Sequence, residues 1–160
     1  MAKRIFLDLE ACVGCRTCSA ACWYTHHETE NIFHEDMSEQ AFLPLICRHC
    51  EDAPCLAACP TGSLEKVGEE GLVKRHSFLC VGCKSCVLAC PFGTIKPETS
   101  CRVISKCDLC PPRLQAGKRP ACVTACPADA LKFAELEELE QQGYRQVESR
   151  QITRSLWKRR

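Results

Sequence analysis

Aromatic residues are scarce in this 160-residue chain, which has two tryptophans, two tyrosines and six phenylalanines. Apolar bulk is short as well. Hydrophobic residues make up 46% of the chain, but 17 of them are cysteine, and without those the share falls to roughly 36%. A small domain so poor in apolar side chains needs covalent or inorganic cross-links to hold together. No apolar run approaches the roughly 18 residues of a membrane span, so no direct span is expected. Residues 1–10 contain neither an apolar h-region nor a small-residue cleavage site, so the expectation is a cytoplasmic chain. A formal net charge of +1 supplies no bulk field for nucleic acid. The length bounds the chain to one domain or two small ones.

Against these shortages stand the 17 cysteines. Such density suits disulfide scaffolds, but those are short secreted chains. The better reading is a reducing compartment with metal-bound thiolates. The organising stretch is Cys80-Val81-Gly82-Cys83-Lys84-Ser85-Cys86-Val87-Leu88-Ala89-Cys90-Pro91. Its spacing, C-x2-C-x2-C-x3-C-P, is that of [4Fe–4S] ferredoxins, in which three cysteines hold one cluster and the fourth reaches a second. The fourth cysteine is expected at the start of a helical turn, where the following proline removes a donor that a first turn does not use.

Three further groups accompany it: Cys12, Cys15, Cys18 and Cys22; Cys47, Cys50, Cys55 and Cys59; Cys107, Cys110, Cys122 and Cys126. Groups two, three and four end in Cys-Pro, whereas Trp23 follows group one. Sixteen thiolates match four cubanes. Zinc suits separated C-x2-C pairs, but groups one and three pack three cysteines at x2 spacing with a fourth just beyond. A zinc-stabilised interaction module is therefore the lesser alternative. No C-x3-C-x2-C triplet with an open iron is present, so a radical enzyme is not expected, and no residue is assigned a catalytic role.

Between the groups the chain is read as short elements. Ile5, Leu7 and Leu9 alternate into a strand. Residues 24–42 are polar and lack clear periodicity. Their His26, His27 and His34 stand among Glu28, Glu30, Glu35, Asp36 and Glu39, and the expectation is a solvated loop rather than a metal site. Gly68 and Gly71 punctuate a hairpin that returns through Leu72 and Val73. A turn is expected around Gly93, Pro97 and Thr99, and a strand over residues 102–105. Residues 128–133 repeat the turn that follows group two. Residues 135–142 form a helix ended by Gly143. Residues 135–160 make a charged tail, basic at Arg145, Arg150, Arg154, Lys158, Arg159 and Arg160. With Ile152, Leu156 and Trp157 it is either a partner-docking arm or a solvated terminus. Cys101, the odd cysteine, reads as a small buried hydrophobe. Arg16, Arg48 and Lys84, inside the cysteine loops, either raise the local potential or simply solvate the surface.

Crossed ligation requires the groups to pair. Groups two and three are close in sequence, and joining them leaves one with four in nested units; spacing alone leaves the pairing of one with two and three with four open. The four ordered groups, with the x4 gap after Cys50 and the x11 gap after Cys110, resemble the four-cluster iron–sulfur subunits of molybdenum and tungsten oxidoreductases, such as the dimethyl sulfoxide reductases and formate dehydrogenases. The resemblance runs from Ile5 to about Phe133. It implies an α+β fold of two nested ferredoxin-like units with short antiparallel strands and short helices around four [4Fe–4S] clusters. The outer unit would join residues 1–43 to 101–134, and residues 44–100 would form the inner one. It implies that Cys12, Cys15, Cys18 and Cys126 hold cluster 1, and that Cys22, Cys107, Cys110 and Cys122 hold cluster 2. Cys47, Cys50, Cys55 and Cys90 would hold cluster 3, and Cys59, Cys80, Cys83 and Cys86 cluster 4. It implies a non-catalytic electron-transfer subunit, with cluster 1 facing a catalytic subunit and cluster 4 as the exit. The short chain favours a soluble partner such as a tungsten aldehyde oxidoreductase, formate dehydrogenase or hydrogenase. A flavin or NAD subunit, or a ferredoxin, would stand at the far end, and self-association into a longer wire is a further expectation. The alternative is a free polyferredoxin carrier serving a hydrogenase or carbon monoxide dehydrogenase.

Overall fold

No element among the described residues is long. A computed structural model describes residues 3–27, 29–38, 41–68, 71–96 and 104–144. Cys101, Glu28, Glu39, Pro97, Thr99, Arg102, Val103 and the basic tail of residues 145–160 lie outside the described residues.

Six strands form three antiparallel pairs among the described residues. β1 (Arg4–Leu7) pairs with β6 (Leu131–Ala134), with Arg4 opposite Ala134 and Leu7 opposite Leu131. The first strand of the chain thus lies against the last. β2 (Phe33–Ser38) pairs with β3 (Ala41–Leu45), with an irregularity between Asp36 and Ser38. β4 (Leu64–Val67) pairs with β5 (Leu72–Arg75), the hairpin expected at Gly68 and Gly71.

The β2–β3 hairpin corrects the expectation of a solvated loop over residues 24–42. Its polar composition hides an anchored base, where Phe33 faces Leu45 and the preceding Ile32 is buried. Pro44 is tolerated opposite His34 because a two-stranded sheet consists of edges only, with no second ladder to feed. Ile104 and Ser105 lie in no strand, contrary to expectation. Ser105 instead uses its hydroxyl to donate to the Glu30 carbonyl at 3.0 Å.

Helices α1 (Thr17–Thr25), α2 (Pro54–Ala57), α3 (Ser85–Ala89), α4 (Pro111–Gln115) and α5 (Ala121–Ala125) all adjoin cysteine groups, and α6 (Leu136–Gln141) follows β6. Gly143, at φ +90°, closes α6: its own N–H donates to Glu140 and that of Tyr144 to Leu139, both at 3.0 Å. Helix α1 packs on α5, and α2 packs on α3.

In groups three and four the fourth cysteine lies at the end of a helix, not at its start as expected for Cys90. Cys90 and Cys126 are the extended C-caps of α3 and α5, at ψ 110° and 112°. The cause is the next residue: proline drives its predecessor out of the helical region. Trp23 imposes no such stop, so α1 runs through Cys22 to Thr25. Trp23→Pro, which copies the other three groups, should therefore break α1 at a cost of about 3 kcal/mol. Loss of amide protection across residues 21–26 in hydrogen exchange would record it; unchanged protection would contradict it.

Three small buried clusters form the core. The first holds Cys18, Cys22, Ile32, Cys122, Val123 and Leu131. In the second, Leu64, Val73, Cys86, Ile95 and Ile104 are flanked by Cys55, Cys59, Cys80 and Cys90. The third contains Cys47, Cys107 and Leu109. Cysteine is a structural member of each.

Candidate metal centres

The first C-x2-C loop of each group is bent by a left-handed residue before its second cysteine. These are Gly14, His49, Gly82 and Leu109, at φ 67°, 48°, 73° and 63°. Glycine adopts this conformation freely, whereas leucine rarely does. Leu109 is held there by its burial beside Cys107. Arg16 and Lys84, which follow the second cysteines of groups one and three, are also left-handed and start α1 and α3. The guanidinium of Arg48 stacks over Phe92, 3.9 Å from its centroid.

The folded chain gathers thiols that are far apart in sequence. Cys12, Cys15, Cys18 and Cys126 line one open cavity. Burial pushes Cys18 up to about 11, with Cys12 and Cys15 adding to the rise. Burial also raises Cys122, to about 12, and the nearby Cys110, Cys22 and Cys18 raise it further. Cys50 is raised by burial and then by Cys47 and Cys90, and Cys55 by burial, Cys47, Cys90 and Cys50. Cys86 is raised by burial, Cys55 and Cys80. Cys107 is pushed well above the ordinary range by burial, with Cys122 and Cys47 contributing. Cys83 feels Cys59, although hydrogen bonding to Ser85 leads and lowers it. All sixteen described cysteines are free of disulfides.

This donor set fits an iron–sulfur group. Crowded, desolvated thiols resist ionisation, so their thiolate forms call for bound cations. Hydroxyls stand ready to donate to sulfur: Thr17 lies 3.3 Å from Cys15, Ser63 3.1 Å from Cys59 and Thr94 3.4 Å from Cys90. For Cys59, burial opposes ionisation, but Ser63 and Thr61 outweigh it and bring the thiol to about 6. His49, inside group two, is 2% exposed. Its Nδ1 accepts from the Val73 amide at 3.1 Å, which puts the proton on Nε2. Burial, then Lys106 and Arg4, holds its pKa near 3, so the ring is neutral. Among the described residues, Nε2 is the one buried side-chain nitrogen or oxygen without a protein partner. An inorganic sulfide or thiolate at this centre would accept from it.

Histidines reach two other groups. His34 Nε2 lies 3.6 Å from Cys18 Sγ, and its Nδ1 lies 3.0 Å from the Ser19 hydroxyl. His26 Nδ1 donates to the Cys22 carbonyl at 2.9 Å and Nε2 to Asp108 Oδ1 at 2.9 Å. Both ring nitrogens face acceptors, so the ring is an imidazolium. Hydrogen bonding to Asp108, the leading cause, holds its pKa far above the usual value. His26, Asp108 and Cys110 also have ligand-metal proximity. The ion pair and the place of Cys110 in group four already occupy them. Asp108 further accepts from the Cys110 amide at 2.8 Å, so it joins the end of α1 to the group-four loop. His26→Gln should weaken that tie by about 1 kcal/mol, discounted for the partly exposed Asp108. Amides at Cys22 and His26 should then exchange several-fold faster; unchanged rates would show the pair to be idle.

Sequence reasoning named the cysteines but missed Asp108, Lys106 and the roles of His26, His34 and His49. A signal existed for three of these, since His49, Lys106 and Asp108 lie inside or beside a C-x2-C loop.

A scaffold of short hairpins and helices that crowds sixteen thiols around common centres defines a ferredoxin-like iron–sulfur protein. Residues 38–136 match the 4Fe-4S dicluster domain family. The chain belongs to that family. It is 39% identical to the thiosulfate reductase electron transfer subunit of Salmonella typhi, a match covering 96% of this chain and 90% of that one. It is 34% identical to the electron transport protein HydN of Escherichia coli, over 88% of this chain and 93% of that one. With the B subunit of the anaerobic dimethyl sulfoxide reductase of Escherichia coli it shares 33% identity, over 84% of this chain and 74% of that subunit. No helix among the described residues is long and apolar enough to cross a membrane.

Proposed function

We propose that this chain carries single electrons along four [4Fe–4S] clusters between a catalytic molybdenum or tungsten oxidoreductase subunit and a second redox partner. The observation that carries the reading is the contact between successive sets of thiols. Cys18 and Cys122 share the first core and Cys47 and Cys107 the third, while Cys55 packs against the second, which holds Cys86. Under the ligand sets given above, these contacts join cluster 1 to 2, 2 to 3 and 3 to 4. The pairing of β1 with β6 and the packing of α1 on α5 and α2 on α3 support nesting, with groups one and four outside and two and three inside.

When bound, the clusters supply one-electron redox chemistry. The polypeptide positions the thiolates and hydroxyl donors and keeps water from the central sites. It contributes no catalytic group of its own. Apolar side chains stand exposed at both ends: Val13 beside Cys12 and Cys15, and Phe78, Leu79, Val81 and Leu88 around Cys80, Cys83 and Cys86. Such patches suit docking of partner subunits. A cytoplasmic location and a soluble catalytic partner accompany this reading.

One comparison favours a second reading. HydN, spanned almost in full, is named an electron transport protein, which suits a free carrier. Anaerobic co-purification from the native host separates the two. A large subunit containing molybdenum or tungsten, identified by mass spectrometry, supports the wire; fully iron-loaded chain with no partner supports the carrier.

A further inference from the structure

Cys47 and Cys107 meet at a seam in a small core with Leu109, and Lys106 immediately precedes Cys107. Lys106 is 5% exposed. Its ammonium donates to the Val73 carbonyl on β5 at 2.6 Å and to the Cys107 carbonyl at 2.8 Å. The Val73 amide donates in turn to His49, between Cys47 and Cys50. One strand residue therefore links a lysine beside group four to a histidine inside group two.

Two carbonyls satisfy hydrogen bonds but carry no net charge. Among the described residues no carboxylate forms an ion pair with Lys106. A buried cation without a counter-ion is strongly disfavoured. Its two acceptors flank thiols: one is the carbonyl of Cys107 itself, and the other belongs to Val73, in the core against which Cys55 packs. These two cysteines belong to different ligand sets.

We propose that Lys106 is the shared counter-cation of clusters 2 and 3, favouring the reduced state of both. The proposal rests on the four-cluster reading. A cluster held by four thiolates is an anion and gains another negative charge on reduction. A fixed ammonium, buried away from screening salt, favours that gain. Because the shift is shared, both clusters become easier to reduce while the step between them keeps its driving force.

The test compares wild type, Lys106→Met and Lys106→Gln, each loaded anaerobically, by iron counting and potentiometric titration followed by electron paramagnetic resonance. All three should hold full iron. In both variants two of the four midpoints should fall and two should stay. At fixed ambient potential the oxidised-to-reduced ratio of the affected pair should rise about tenfold, or 59 mV for one electron. Glutamine separates charge from hydrogen bonding, since its amide still donates to a carbonyl. Unchanged midpoints in the glutamine variant overturn the proposal, as does an equal shift of all four. Loss of iron in both variants also overturns it, because Lys106 is then only a structural tie. Wild type holding about eight irons would instead defeat the four-cluster reading itself.

Discussion

Replacing Cys126 with alanine should remove one cluster, taking iron from about sixteen per chain to about twelve. Cys15→Ala should have the same effect, because Cys15 and Cys126 line one cavity although they are far apart in sequence. The double variant Cys15→Ala/Cys126→Ala should lose no more than either single change. By contrast, Cys22→Ala/Cys126→Ala should fall to about eight irons, since crossed ligation assigns these two thiols to different clusters. Acid-labile iron and the resonance spectrum of the reduced protein report both counts. A Cys15/Cys126 double variant that falls to about eight would show that these two thiols serve different clusters, as they would if group one paired with group two. The nested pairing would then be wrong, however well β1 lies against β6.

Removing iron should abolish the fold. The strands span four to six residues and the helices at most nine. A two-stranded pair is marginal in water, and so is a helix of this length. Their stability must come from packing, yet cysteines occupy every buried cluster. Without metal these are small, neutral side chains around spaces that apolar residues do not fill. Metal-binding free energy is then folding free energy, on the order of 10 kcal/mol by analogy with structural zinc. Anaerobic chelation should collapse amide protection throughout, including β1 and β6. Persistent protection of that pair in iron-free protein would mean that the polypeptide folds without its clusters.

The cysteine spacing made the metal chemistry legible because ligand geometry is local. A C-x2-C loop declares itself in four residues, and glycines such as Gly14 and Gly82 mark its bend. The β4–β5 hairpin and α6 were legible for the same reason, since turn glycines and short periodic runs act over a few residues. The β2–β3 hairpin was not. Its polar strand gains stability from Phe33 facing Leu45 and from Ile32 reaching the first core, neither of which alternation reveals. The place of Cys90 differs from the expected helical start because the effect of Pro91 falls on the residue before it. His26 looked like one member of a surface cluster. Its partner, Asp108, is 82 residues away and only the fold brings it near. Lys106 was invisible as a buried cation, because sequence gives no hint that a lysine beside a cysteine turns inward.

The most direct measurement is the iron content of the anaerobically purified chain. About sixteen irons and sixteen acid-labile sulfides per polypeptide are expected, with no zinc. About eight irons would leave a two-cluster protein and break the wire at its seam. Stoichiometric zinc in a colourless protein would contradict the account entirely.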